Sequence, residues 1–211
     1  MREELQFQYD SLQHTEHPPY FMAYRVKETT EHHVAADFGK IYDNSTSKTV
    51  FLTIEMRVGK PETDNYHYLT HKTTFVKQIP LPLEENPVLV RKILQKETRK
   101  AYQEAVVQFV ENKLATTYFD AEEDIEKFLY MRNDKDGYYE APVSIESHWD
   151  AAVWESNLRH CTSSIQSTAD LRCQFSRNYL VNSENSFFVQ NESSAMLKLR
   201  MEFLTAQDHI P

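Results

Sequence analysis

The sequence predicts an α+β fold: an antiparallel sheet of amino-terminal and carboxy-terminal strands packed against one long and one shorter helix. Three observations lead there. Apolar residues alternate with period two near both ends of the chain. An Asn-Pro helix start in the middle opens a long row of apolar residues at helical spacing. Tyr and Phe, at 12 each, supply residues that favour sheets.

Glu3 to His14 reads as a short amphipathic helix with Leu5, Tyr9 and Leu12 roughly on one face. His17-Pro18-Pro19 ends it, since proline cannot continue a helix and pushes its predecessor toward extended geometry. Tyr20, Met22, Tyr24 and Val26 then alternate, followed by Val34, Ala36 and Phe38, and by Leu52, Ile54, Met56 and Val58. Each set predicts a strand with one face on a core. Asp43 to Ser47 predicts the turn between the second and third strands.

Asn86 caps a helix that Pro87 begins, and Val90, Ile93, Leu94, Ala101, Ala105, Phe109 and Val110 carry it to about Leu114, roughly 40 Å at 1.5 Å per residue. Asp120 to Ala141 gives little pattern beyond an acidic helix start and a turn at Asn133 to Gly137. A shorter helix from about Ile145 to Ser163 carries Trp149, Val153 and Trp154. Strands return at Leu171 to Phe175 and Tyr179 to Val181. Asn182 to Ser186 turns, Phe187 to Val189 extends, and Gln190 to Ser194 turns again. Leu197, Leu199, Met201 and Phe203 give the clearest alternation in the chain, a meander strand with one wet face.

Composition excludes several function classes. At 211 residues the chain is long enough for one large domain or two small ones, and 40 % hydrophobic residues with mixed charge argue against global disorder. Gly numbers only 3, and neither a Gly-x-Gly-x-x-Gly nor a P-loop pattern occurs. The net charge of −9 disfavours nucleic acid as a partner. The basic residues Arg91, Lys92, Lys96, Arg99 and Lys100 are interrupted by Glu97 and read as a solvated helix face. No apolar stretch approaches a membrane span and no signal-peptide core opens the chain, so the cytoplasm is the default compartment if Met1 is the native start.

The candidate catalytic constellations in the sequence are weak. His67 and His71 would share a face of a helix, but their β-branched and aromatic surroundings favour a strand, where they stand about 13 Å apart, too far for one ion. Asn133 to Gly137 lacks the ligand spacing of a calcium loop. The dipeptide His-Glu is absent, so no His-Glu-x-x-His zinc motif exists, and no Gly-x-Ser-x-Gly elbow occurs. Cys161 and Cys173 form no disulfide framework. A small hydrolase using either thiol is the weakest of the readings the sequence leaves open. No residue of the chain is assigned as catalytic, metal-binding or cofactor-binding.

A different set of motifs stands out by order. Pro18-Pro19-Tyr20-Phe21 leads to Tyr24-Arg25-Val26, then Arg57-Val58-Gly59 with Asp64-Asn65 behind it. Leu81-Pro82-Leu83-Glu84-Glu85-Asn86-Pro87 follows, then Ala101-Tyr102-Gln103-Glu104-Ala105, and finally Tyr179-Leu180-Val181-Asn182-Ser183-Glu184. In that order they resemble the amino-terminal half of the TldD/PmbA family of zinc metallopeptidases, the modulators of DNA gyrase. The resemblance covers about Pro18 to Asp208. Asn185 stands where the family has Gly, a substitution that a left-handed turn tolerates. Leu94-Gln95 stands where close relatives carry Leu-Trp.

The resemblance implies a lead-in over residues 1–17, a family domain over 18–205, and a linker from 206–211 toward a catalytic half. It implies a peptidase acting on unfolded or short peptides, often as a homo- or heterodimer, with zinc held in that carboxy-terminal half and none in this chain. This chain would then be non-catalytic, enclosing substrate or forming the subunit interface. Arg57, Gly59, Asn182, Ser183 and Glu184 are the expected peptide or interface contacts, although turn formation also explains them. The alternative is a free-standing peptide- or protein-binding module without protease activity.

Overall fold

The computed structural model describes residues 1–61, 63–66, 78–84, 86–118, 149–165, 167–184 and 187–201. The elements are α1 (Arg2–Leu12), β1 (Pro19–Asp37), β2 (Lys40–Lys60), β3 (Thr63–Asp64), β4 (Ile79–Pro80), α2 (Pro87–Tyr118), α3 (Ala151–Ser164), β5 (Ser167–Asn182) and β6 (Phe187–Met201). The strands form one antiparallel sheet in the order β3-β2-β1-β5-β6, with β4 also beside β2. The fold class is the α+β class expected from sequence.

The chain divides into two compact units, the first made of Met1–Glu28, Val50–Pro142 and Asn178–Gln190. Its core is Leu5, Met22, Tyr24, Val26, Leu52, Met56, Val58, Leu94, Ala105 and Val181, all buried. The period-two residues of β1 and β2 therefore meet the helical-period residues of α2, as patterning demands. α2 begins as the sequence says: Asn86 Oδ1 accepts from the Leu89 N–H at 3.0 Å. At 32 residues it is about 48 Å long. Buried Thr98 on α2 meets the Tyr24 hydroxyl at 2.5 Å, so the phenol enters the core with its oxygen satisfied.

The second unit comprises Thr29–Thr49, Val143–Arg177 and Asn191–Pro211. Val34, Ala36, Leu158, Ala169, Leu171 and Cys173 form its core, with Trp149 and Phe175 packed against it. Asp150 caps α3, accepting from the N–H groups of Ala152 and Val153 at 3.0 and 3.2 Å.

Two turns differ from expectation. Asp43 to Ser47 lies inside β2, and the reversal falls at Phe38-Gly39, where both residues have positive φ, 44° and 81°. That pair suits a two-residue hairpin. The polar run stays extended because its side chains find partners: Asp43 meets His33, Thr46 meets His32, and Asn44 meets Glu155. Gln190 to Ser194 is likewise not a turn but part of continuous β6, and Leu197 and Leu199 are half exposed there. His67, His71, the Asn133 to Gly137 stretch and Asn185 lie outside the described residues.

Candidate functional site

The motif residues of the first unit meet around the start of β1. α1 ends against it: Gln13 Nε2 donates to the Pro19 carbonyl at 2.8 Å, and the Tyr9 hydroxyl donates to that of Tyr20 at 3.2 Å. The Tyr20 hydroxyl then donates to Asp64 Oδ2 at 2.7 Å, across 44 residues of sequence. Asp64 is buried, and its Oδ1 accepts from the Tyr66 N–H at 2.8 Å, an Asx-turn. Asn112 of α2 donates to the Asp64 carbonyl at 3.2 Å.

Arg57 closes the cluster. Its Nε and Nη2 donate to Glu55 Oε1 at 3.1 and 3.0 Å, and its Nη1 reaches Asp64 Oδ2 at 3.5 Å. The guanidinium carbon stands 4.7 Å from the centre of the Tyr66 ring. Asn65 does the work of a strand partner: its Oδ1 accepts from Val58 N–H at 2.7 Å and its Nδ2 donates to Met56 O at 3.1 Å. Gly59 pairs with Asp64 in the β2–β3 register and adopts φ 107°, a value that excludes most side chains.

Two residues along β1, Met22 joins the second motif. Its N–H donates to Ser183 Oγ at 3.1 Å, and its carbonyl accepts from the Ser183 N–H at 2.8 Å. Asp64, which Arg57 contacts, and Ser183 thus anchor to Tyr20 and Met22 of β1. Asn182 ends β5 half-buried, and Glu184 is exposed.

Electrostatics follow from this burial. Burial raises the Tyr20 phenol, and the Asp64 carboxylate raises it further. Burial also pushes Tyr24 up to about 12 against the opposing effect of its Thr98 contact. Burial alone would lower the Arg57 guanidinium, but its contacts with Glu55 and Tyr20 outweigh that and raise it. Tyr20 and Tyr24 are therefore neutral hydrogen-bonding groups, and Arg57 is a fixed cation.

A cavity of about 240 Å³ adjoins this cluster and shares Glu55, Asn65 and Tyr66 with it. Ile54, Met56, Ala101 and Ala105 supply apolar lining, and Arg25, Lys100 and Glu104 supply charges of both signs. Nothing in the cluster pairs a nucleophile with a base, and among the described residues no group of three His, Cys, Asp or Glu could hold a metal ion. What the cavity lining presents is apolar surface with charges of both signs.

Of the five residues expected from sequence, Arg57, Gly59 and Ser183 belong to this interlocked region. Asn182 and Glu184 flank it. Tyr20, Asp64 and Asn65 lay inside the motifs without being singled out, Tyr20 in Pro18-Pro19-Tyr20-Phe21 and Asp64-Asn65 just behind Arg57-Val58-Gly59. Tyr66 and Asn112 carried no such signal.

No protein-family model matches the sequence, and no curated protein matches it. Solved structures do. The fold is similar to TldE from Thermococcus kodakarensis at TM-score 0.45 and 10% identity, over 93% of this chain and 38% of that one. It is similar to candidate modulators of DNA gyrase from Thermotoga maritima, at TM-score 0.48 and 11% identity, and from Bacteroides thetaiotaomicron, at 0.44 and 10%. These cover 93% and 92% of this chain, and the chain spans 39% of each of theirs. The names are those of the family the sequence motifs resemble. At such scores and identities the likeness says nothing of activity.

Proposed function

We propose that this chain is the non-catalytic amino-terminal domain of a TldD/PmbA-type metallopeptidase, helping to enclose peptide substrate and to form the subunit interface. The observation that carries the reading is the mutual engagement of the motif residues. Tyr20 holds Asp64, Asn65 holds β2 beside Arg57-Val58-Gly59, and Met22 exchanges two hydrogen bonds with Ser183. Motifs up to 161 residues apart act as one unit, which short coincidental matches have no reason to do.

In this reading zinc belongs to a segment beyond the chain, because the sequence has no His-Glu pair to build a zincin helix. What this chain supplies is a wall. Arg57 and Gly59 fix the turn beside the cavity, while the cavity offers an apolar floor and both charge signs. Such a lining accepts short peptides of varied sequence, where main-chain groups give affinity and side chains give little.

The test is titration of the whole chain with short unstructured peptides, followed by amide resonances. Saturable shifts confined to residues that line the cavity, Glu55, Asn65, Tyr66 and Glu104 among them, are expected. Shifts elsewhere, or none at millimolar peptide, would remove the cavity from the substrate path.

A further inference from the structure

β6 leaves one edge of the sheet open. In the strand order it neighbours β5 alone, and among the described residues no strand lies on its other side. The part of β6 in the second unit begins at Asn191, and its residues 192–200 are all exposed. No Gly or Pro interrupts it. An edge of this kind offers a row of main-chain donors and acceptors to another strand. The opposite edge of the unit, β2 over residues 40–49, is blunted instead: Asn44, Ser45, Thr46, Ser47 and Lys48 follow one another there, all exposed.

β6 is apolar where an edge is ordinarily polar. Met196, Leu197 and Leu199 are 49%, 50% and 52% exposed. Thr168 Oγ1 donates to the Arg200 carbonyl at 3.4 Å, and Arg177 Nε donates to Asn191 Oδ1 at 3.0 Å. Both contacts fit one antiparallel register, with Leu197 opposite Leu171 and Leu199 opposite Ala169. Those two β5 residues belong to the buried core of the unit together with Leu158 of α3. The apolar face therefore runs on from β5 to β6, and its cover stops short of β6.

We propose that this edge pairs with the same edge of a second copy of the chain, antiparallel and with its two-fold axis at Met196. The charges of β6 select that partner and that register. An in-register parallel pair would set Lys198 and Arg200 against their own copies. Antiparallel about Met196, Glu192 faces Arg200 of the second copy and Lys198 faces Ser194, and the symmetry makes each contact twice. Leu197 then faces Ala195, and the two Leu197 side chains become diagonal neighbours on one side of the joined sheet. Other centres do worse. Lys198 or Leu199 at the axis opposes like charges, and Leu197 at the axis leaves Glu192 without a cation opposite. Ala195 at the axis keeps a cation opposite Glu192 but sets both leucines against Ser193 and Asn191. The pairing gives the subunit-interface part of the reading above a location, and rests on that part alone.

Light scattering of the whole chain, from micromolar to submillimolar concentration, tests the pairing. Twice the 24.9 kDa of one chain is the expected mass, and a single-chain mass throughout overturns the proposal. The register is tested by exchanging charges. Glu192→Arg and Arg200→Glu each shift the mass toward one chain, and the two together restore the dimer. A dimer indifferent to all three variants overturns the register. Met196→Cys needs no loss of stability to be read: a mild oxidant links residue 196 to residue 196, with the exposed native Cys161 as the control. A dimer that links only through Cys161 also overturns it. The peptide titration fails independently: a dimer without peptide shifts removes the cavity from the substrate path and keeps the edge, and a monomer with those shifts does the reverse.

Discussion

Asp64 serves four groups at once. One carboxylate oxygen takes the Tyr20 hydroxyl and an Arg57 nitrogen, the other takes the Tyr66 N–H, and the backbone carbonyl takes Asn112. Asp64→Ala removes the first three contacts and leaves a half-buried phenol and a half-buried guanidinium without their carboxylate. Losing partners for buried polar groups costs about 1–3 kcal/mol, more when a charge is involved. The expected result is a loss of roughly 2–3 kcal/mol in urea unfolding, and a loss under about 0.5 kcal/mol would show that the network is ornamental. The sequence revealed Arg57 and Ser183 as special residues because they sat in recognisable motifs. It did not reveal that Asp64, beside Arg57, holds Tyr20 or that Ser183 holds Met22, because side-chain partners 44 and 161 residues apart leave no local periodicity.

At the scale of elements, patterning worked where an element had one wet face and failed where polar residues were satisfied by tertiary partners. α2 was legible from its Asn-Pro start and apolar row. The β1–β2 reversal was not, because Asp43 to Ser47 has a turn's composition but a strand's surroundings. The true turn is tied to α3 and to the start of β5: Gly39 N–H donates to Thr162 Oγ1 at 2.9 Å, and Phe38 N–H donates to the Ser167 carbonyl at 3.2 Å. A Cβ on Gly39 would stand 2.8 Å from Ser163 Cβ, at a φ that L side chains rarely adopt. Gly39→Ala therefore combines backbone strain with a collision, and a loss of about 2–4 kcal/mol is expected in chemical denaturation. A variant within about 0.5 kcal/mol of the native chain would mean that the hairpin shifts freely off α3. The long β6 alternation misled in another way. Leu197 and Leu199 alternate as core residues do, yet they stand half exposed, since period two fixes which residues share a face and not whether anything covers it.

For the whole molecule, composition and pattern were enough for the α+β class, and motif order was enough for a family resemblance. They gave no view of how the motifs lock together, or of the His33 contacts, where a single ring meets two strands. The proposed function rests on the larger protein that the resemblance implies: a wall domain would have little chemistry of its own and would gain meaning from the metal centre it enclosed. The direct measurement is the intact mass and metal content of the native protein captured from its source cells. A species much heavier than 211 residues account for, carrying zinc, is the predicted result. A native species no longer than this chain and free of zinc would contradict it, leaving a free-standing binding module in place of half a peptidase.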